Sequence, residues 1–147
     1  MTDIGPPPRL VFQLTVAERS VRRWIDARSG DTGIGAAGAG VLFHLASHDH
    51  ASIGDVTAAL DASPSGMSGL VNRLERAGLL SRSSDPADAR ATRLTLTPLG
   101  RQTVASARVV LGGLNTRLTD GFTTEELQVV SRWLTRIAHE LRPGASD

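Results

Sequence analysis

Apolar residues return every three or four positions near the start of the chain, which is the spacing of an amphipathic helix. The pattern predicts a first helix from about Arg9 to Ala27. A run rich in Gly and Ala follows from Ser29 to Gly40, and a strong apolar signal then predicts a second helix that ends near Ser47. The apolar stripe of the first helix consists of Leu10, Leu14, Ala17, Val21, Trp24 and Ile25.

Two longer patterns of the same kind occupy the last third of the chain. Thr97 is suited to cap the first of these helices, with Pro98 as its first residue, and the second begins at Thr123, where Glu126 completes a capping box. Both repeat apolar residues at alternating spacings of three and four, so each would leave an apolar seam exposed on a monomer, and we expect a dimer. The seams are Val104, Ala107, Leu111, Leu114 and Leu118, then Leu127, Val130, Leu134, Ile137 and Leu141.

The middle of the chain predicts two short helices joined by a tight turn. Ser52 and Asp55 have the spacing of a capping box that opens the first, whose buried positions are Ile53, Val56 and Leu60. A turn at Asp61 and Ala62 leads to Ser63 as N-cap and Pro64 as the first residue of the second helix, which ends near Gly78. The inward face of this second helix consists of Met67, Leu70, Val71 and Leu74.

A short β-hairpin is expected next. Leu79 to Arg82 and Thr92 to Thr97 are β-type runs, and Leu94 and Leu96 alternate with polar residues in the second. A polar tip from Ser83 to Ala91 joins the two runs. The fold class is therefore mainly α with a small β-hairpin wing, a winged helix-turn-helix flanked by N- and C-terminal dimerisation helices.

Composition and charge exclude some classes of function and show which part of the chain is basic. The chain has 147 residues, enough for one domain, and no cysteine, so disulfides and thiolate metal sites are excluded. We find no apolar run long enough to span a membrane and no secretory signal, so we expect a cytoplasmic protein. Although the net charge is only +1, the segment from Ser63 to Arg101 carries +3 and Met1 to Ala62 carries −2. The middle of the chain is thus the basic part.

The helix from Pro64 to Ala77 has a small, polar outward face that is suited to the major groove of DNA. The hairpin after it bears Arg90, which we expect to enter the adjacent minor groove, while Asp88 orients that arginine or stiffens the turn. The alternative is that the helix and the hairpin are ordinary solvated surfaces without a role in binding DNA. The outward positions of the helix are Ser65, Gly69, Asn72 and Arg76, with Ser68 and Arg73 on the shoulders of this face, and the positions suited to phosphate at the base of the hairpin are Arg82 and Arg93.

The same region resembles the MarR family of regulators. The run Asp88-Ala89-Arg90, followed by Leu94, Leu96-Thr97 and Gly100, is similar to the wing signature of that family, and Ser63 to Leu79 is similar to its recognition helix. The resemblance implies one domain over 1–147, with a winged-helix core at about 34–101 and dimerisation helices at about 9–28 and 102–142.

It further implies a bacterial homodimeric repressor that binds a pseudo-palindromic operator in double-stranded DNA and is released by a small-molecule effector. No cofactor, catalytic residue or membrane partner is implied, and no enzyme activity. The DNA-contacting positions carried over from the family are Ser65, Ser68, Gly69, Asn72, Arg73 and Arg90. A winged-helix module that binds proteins without DNA is the alternative.

Three features remain outside this interpretation. Gly35 to Gly40 lacks the larger residues common in the family, which indicates either an open effector region or close helix packing. Gly33 to Gly38 matches a dinucleotide-binding pattern, but it follows a helical segment and no βαβ unit surrounds it. His44, His48 and His50 have a spacing compatible with a metal site, although solvated histidines at a helix end explain them as well, and we expect no bound metal.

Overall fold

The computed structural model describes residues 8–30 and 34–142, and in these residues helices dominate around a small antiparallel sheet. The expected fold class, mainly α with a small β-hairpin wing, is confirmed, and dimerisation through the terminal helices stays a prediction. The first residues of the chain and Gly33 of the Gly-rich run lie outside the described residues. In chain order the elements are α1 (Leu10–Arg28), α2 (Gly35–Ser47), β1 (Ala51–Ser52), α3 (Ile53–Ala59), α4 (Pro64–Arg76), β2 (Leu80–Ser84), β3 (Thr92–Leu96), α5 (Pro98–Thr119) and α6 (Thr124–Glu140).

The helix starts follow local capping chemistry. Ser52 and Thr123 each accept a hydrogen bond from the backbone N–H three residues on and form complete capping boxes with Asp55 and Glu126. Ser63 accepts from the N–H of Gly66 and Pro64 is the first residue of α4. These caps supply hydrogen bonds to N–H groups that a helix end leaves without partners, so the predicted helix starts are confirmed.

The sheet contains one strand that was not predicted from the sequence. Its strand order is β1-β3-β2, all antiparallel, with Ala51 opposite Leu94 and Leu80 opposite Leu96. β2 extends to Ser84, so Ser83 and Ser84 belong to the strand and not to the hairpin tip. The extra strand, β1, fixes the start of α3 against the middle of the wing.

The core lies between α2, α3, α4 and the sheet. Because each buried Leu, Val or Met side chain contributes roughly 1.5–3 kcal/mol, this cluster holds α4 firmly against the rest of the winged helix. The most buried side chains are Val41, Leu42, Leu45, Val56, Met67, Val71, Leu74, Leu80 and Leu94.

The Gly-rich start of α2 is closely packed at one position. Gly38 is buried, and a Cβ there would lie 2.8 Å from the Cβ of Ile34 and 3.4 Å from Cδ2 of Leu74 on α4. At the first turn of α2, the backbone N–H of Ala36 donates to Oδ1 of Asp26 on α1 at 2.9 Å. Of the two interpretations left open by the sequence, close helix packing is therefore the one found at Gly38.

Thr97 and Gly100 join the wing to the next helix. The Thr97 hydroxyl donates to the carbonyl of Gly78 at 2.5 Å and accepts from the N–H of Gly100 at 3.0 Å. A Cβ on Gly100 would lie 1.9 Å from the carbonyl oxygen of Leu79, so only glycine fits there. Gly78 itself has φ +75°, the left-handed cap expected after α4.

The described residues divide into two compact units, and the division falls within α5, between Ala107 and Arg108. In the first unit, α1 packs against α2 yet has no buried residue. In the second unit, α6 also has no buried residue, and Val130 and Leu134 of its predicted seam are 49% and 41% exposed. Among the described helices, none is long and apolar enough to cross a bilayer.

Candidate nucleic-acid interface

α4 presents a continuous polar face because its apolar residues all lie on the opposite side. Met67, Leu70, Val71 and Leu74 are buried and anchor the helix. All six outward positions predicted from the sequence are exposed: Ser65, Ser68, Gly69, Asn72, Arg73 and Arg76. A Cβ placed on Gly69 would have open space around it, since no described neighbour lies within 4 Å.

The tip of the wing is shaped by two aspartates. The Asp85 carboxylate accepts from the N–H of Ala87 at 2.9 Å, and the Asp88 carboxylate accepts from the N–H of Arg90 at 3.0 Å. Asp88 therefore stiffens the turn through the backbone of Arg90, which is one of the two roles expected for it. The Arg90 side chain is exposed at the end of this turn.

Arg93, which pairs with Ser83, closes the wing next to the tip loop. Its Nε and Nη2 donate to Oδ2 of Asp85 at 3.0 and 2.6 Å, and its Nη1 donates to the carbonyl of His50 at 3.4 Å. The same nitrogen lies 4.0 Å from a carboxylate oxygen of Asp55. Arg93 thus ties β3 to the wing tip and to the residue before β1, and its contact with phosphate stays a prediction.

These contacts change the acidity of the groups involved. The pKa of Asp85 lies below its ordinary value of 3.8, first because the N–H of Ala87 donates to it and second because Arg93 does. The pKa of Asp55 is also lowered, chiefly by the hydroxyl and backbone N–H of Ser52, and the pKa of Arg93 is raised by Asp85. The network is therefore fully ionised at neutral pH.

Arg82, on β2, reaches across to α4. Its Nη2 donates to Oδ1 of Asn72, and its Nε lies 3.5 Å from a carboxylate oxygen of Glu75. This contact was not predicted, because the two segments are ten residues apart and their approach depends on the placement of the hairpin. Arg82 was expected to bind phosphate, and that role likewise stays a prediction.

The arginines of the winged part thus fall into two groups. Arg82, Arg93 and Arg101 bind other parts of the chain, Arg101 through the carbonyl of Leu96 at 3.0 Å. The side chains of Arg73, Arg76 and Arg90 are exposed and make no hydrogen bond or ion pair within the described residues. We call a guanidinium group uncommitted when it has no partner within the described residues. These uncommitted groups lie on the outward face of α4 and at the wing tip.

The three histidines near the end of α2 make contacts of their own. The rings of His44 and His48 stack with centroids 4.4 Å apart, and His50 Nδ1 lies 3.1 Å from the hydroxyl of Thr95. Across the part of the chain that the structure describes, no three His, Asp or Glu side chains are grouped as a metal site requires.

Comparison with known proteins agrees with this geometry. The MarR family model matches residues 32–91 of the chain. A MarR protein from Peptoclostridium difficile shares the fold with TM-score 0.86 at 17% identity, covering 97% of this chain and 93% of its own. No curated protein sequence matches the chain.

Two further solved structures of similar fold are a DNA complex and a regulator controlled by a small molecule. The S. aureus MepR–DNA complex matches with TM-score 0.81 at 21% identity over 92% of this chain and 99% of its own. BpsR of Bordetella bronchiseptica, described by the regulation of its DNA binding by 6-hydroxynicotinic acid, matches with TM-score 0.78 at 26% identity over 91% and 98%.

The elements described above, a helix-turn-helix of α3 and α4 followed by a β-hairpin wing, define a winged-helix protein. The MarR family model matches this part of the chain, residues 32–91, and the solved structures share the fold of the whole described chain.

Proposed function

We propose that this protein is a DNA-binding transcriptional regulator in which α4 enters the major groove and the wing tip enters the neighbouring minor groove. The observation that carries the proposal is the grouping of the uncommitted guanidinium groups of Arg73, Arg76 and Arg90 on one helix face and one hairpin tip. Guanidinium groups in these positions neutralise phosphate or enter a narrow groove where the negative potential is concentrated.

In this proposal each outward residue has a distinct task. Ser65 and Ser68 approach the groove with short hydroxyl side chains, and Gly69 lets the helix backbone come close to the base edges. Asn72 and Arg73 have the hydrogen-bonding groups that read bases, whereas Arg76 and Arg93 are suited to phosphates. Asp88 acts indirectly, because it holds the backbone from which Arg90 extends.

The regulator acts as a homodimeric repressor on a pseudo-palindromic operator. This part of the proposal is supported by the apolar residues that α1 and α6 leave exposed, which a second copy would cover. They include Leu10, Val11, Phe12, Val16, Val129, Val130 and Leu134. Two copies bound to one face of the duplex place their α4 helices in successive major grooves, roughly 10 base pairs apart.

Release by a small-molecule effector is the regulation we propose. It is supported by the likeness to BpsR, whose DNA binding is regulated by 6-hydroxynicotinic acid. That likeness supports the mode of regulation and does not extend to the chemical identity of the effector. A bacterial cytoplasm is the proposed location, and the protein is proposed to act without catalysis.

The experiment is a fluorescence anisotropy titration of the full chain on its operator, compared with Arg90→Ala. We expect Arg90→Ala to weaken binding by about 1–3 kcal/mol and to make the salt dependence shallower, because one cationic contact is lost. Arg132→Ala is the matched control, since Arg132 is an exposed arginine on α6, outside the winged part. Equal affinities for the wild type and Arg90→Ala would contradict the role of the wing.

A further inference from the structure

The contact between Arg82 and Asn72 fixes one side chain at the centre of the exposed α4 face. Oδ1 of Asn72 accepts a hydrogen bond from Nη2 of Arg82, and Nε of the same guanidinium is 3.5 Å from Glu75. Asn72 and Glu75 are three residues apart, so both lie on the side of α4 next to β2. One arginine from the wing is therefore held by two side chains of the recognition helix.

The chemistry of the partners determines which way the carboxamide of Asn72 faces. A guanidinium group only donates hydrogen bonds, so the oxygen of Asn72 must be the atom that faces Arg82. A flipped carboxamide would set two donors against each other. The amino group of Asn72 consequently points away from β2, and Asn72 is exposed, so this group is available to a ligand.

Apart from the Glu75 carboxylate, which lies beside Nε of Arg82, the free atoms around this contact are all donors. They are the two hydrogens of the Asn72 amino group and the remaining N–H groups of Arg82. The second lone pair of Oδ1 lies beside a positive charge, where the approach of another donor is opposed by electrostatic repulsion. Such a cluster fits the edge of a DNA base that presents only hydrogen-bond acceptors. It disfavours a base edge that presents an amino group.

Base edges in the major groove differ in this respect. Guanine presents two acceptors, N7 and O6, whereas adenine presents N7 together with its N6 amino group. The pairing of asparagine with adenine needs a free amide oxygen as well as the amino group. We propose that Arg82 is a positioning residue that orients Asn72 as a donor, so that Asn72 selects guanine over adenine at one operator position. This inference rests on the proposed entry of α4 into the major groove.

The test measures affinities for a set of operators that carry all four base pairs at each position. Asn72→Ala identifies the position read by Asn72, because discrimination is lost there. At this position we expect the wild type to prefer guanine over adenine by about 5- to 100-fold. Arg82→Met should reduce that ratio to near one or reverse it, while Arg82→Lys, which keeps a donor and the charge, should retain the preference for guanine.

The outcomes separate the roles that Arg82 can have. A phosphate contact or a purely structural role predicts that Arg82→Met weakens binding to every operator by the same factor with the base ratio unchanged, and that result overturns the inference. An adenine preference in the wild type, or no position affected by Asn72→Ala, overturns it as well. If the wild type prefers no DNA sequence at all, that result contradicts the proposed function itself, and not only the role of Arg82.

Thermal unfolding of each variant shows that the fold is retained. Arg82 lies on an exposed strand position, and its two partners on α4 are also exposed, so Arg82→Met removes no buried contact. Arg82→Gln is the second variant, since its amide can still donate to Asn72 without carrying a charge. Retention of the guanine preference in Arg82→Gln is expected, and its loss while Arg82→Lys keeps it would overturn the hydrogen-bond argument.

Discussion

Arg93 directs two of its nitrogens to a single oxygen atom, Oδ2 of Asp85, at 3.0 and 2.6 Å. Asp85 is the first residue after β2 and Arg93 is the second residue of β3, so the ion pair closes the wing where its strands meet the tip loop. Asp85 also accepts the N–H of Ala87 and thus shapes the first turn of that loop. The wing tip that carries Arg90 is therefore held in place mainly by polar contacts.

The contacts of the Asp85 carboxylate with the N–H of Ala87 and with Arg93 predict a pH-dependent contribution to stability. Because the folded pKa of Asp85 lies below 3.8, its carboxylate stabilises the fold above that value and the stabilisation is lost as the pH falls through the folded pKa. Asp85→Asn should therefore lower the melting temperature at pH 7. The difference from the wild type should shrink below about pH 4.

Asp120→Asn is the control for that comparison, since Asp120 is an exposed carboxylate between α5 and α6. Calorimetric melting temperatures at pH 7, 5 and 3 measure the effect. A deficit in Asp85→Asn that is as large at pH 3 as at pH 7 would show that the ionised carboxylate of Asp85 is not the cause.

We expect the addition of a side chain at Gly100 to cause a large loss of stability, because the space around it is filled. In Gly100→Ala the new Cβ would meet the carbonyl oxygen of Leu79 at 1.9 Å, and that oxygen also accepts the N–H of Thr97. The backbone must shift, so we expect a loss of stability of about 1–3 kcal/mol or more. Chemical denaturation measures it. Gly40→Ala is the control, because its Cβ would make ordinary contacts with Leu60 at 3.7 Å.

Gly69 predicts opposite effects on stability and on DNA binding. Because its Cβ would have no described neighbour within 4 Å, Gly69→Ala should stabilise α4 by about 1 kcal/mol in the free protein. If α4 approaches the floor of the groove, the added methyl group weakens operator binding. Gly40→Ala should be more stable too, but with unchanged affinity. Unfolding and anisotropy titrations on both variants check this, and unchanged affinity in Gly69→Ala would argue against close approach at this position.

Assembly gives a separate prediction. A chain of 15.5 kDa that leaves Val130 and Leu134 exposed on α6 should form a species of about twice that mass. Val130→Asp should shift the equilibrium towards the monomer, whereas Ser131→Asp, on an adjacent exposed position outside the apolar seam, should not. Light scattering at micromolar concentration measures the mass. A wild type found only as a 15.5 kDa species would contradict the dimer.

The sequence predicted those parts of the structure that depend on near neighbours. The capping boxes at Ser52 and Thr123 and the start of α4 at Pro64 involve residues within one helical turn, so their spacing was sufficient. β1 was missed because its two residues are too few for an alternating pattern, and its pairing with β3 joins segments far apart along the chain.

The site was predictable only in outline, for the same reason. The helical period correctly indicated that Ser65, Ser68, Gly69, Asn72, Arg73 and Arg76 share the exposed face of α4. Nothing local distinguished Arg82 and Arg93, which bind other side chains, from Arg73 and Arg90, which are uncommitted in the described structure. That distinction depends on how the hairpin folds back on α4.

The most direct test of the central claim is selection of bound sequences from random duplex DNA by the full chain. We predict an enriched pseudo-palindrome with half-sites roughly 10 base pairs apart, bound less tightly as salt increases. Recovery of no common sequence would contradict DNA reading by α4 and the wing, and would favour a winged helix that docks on another protein.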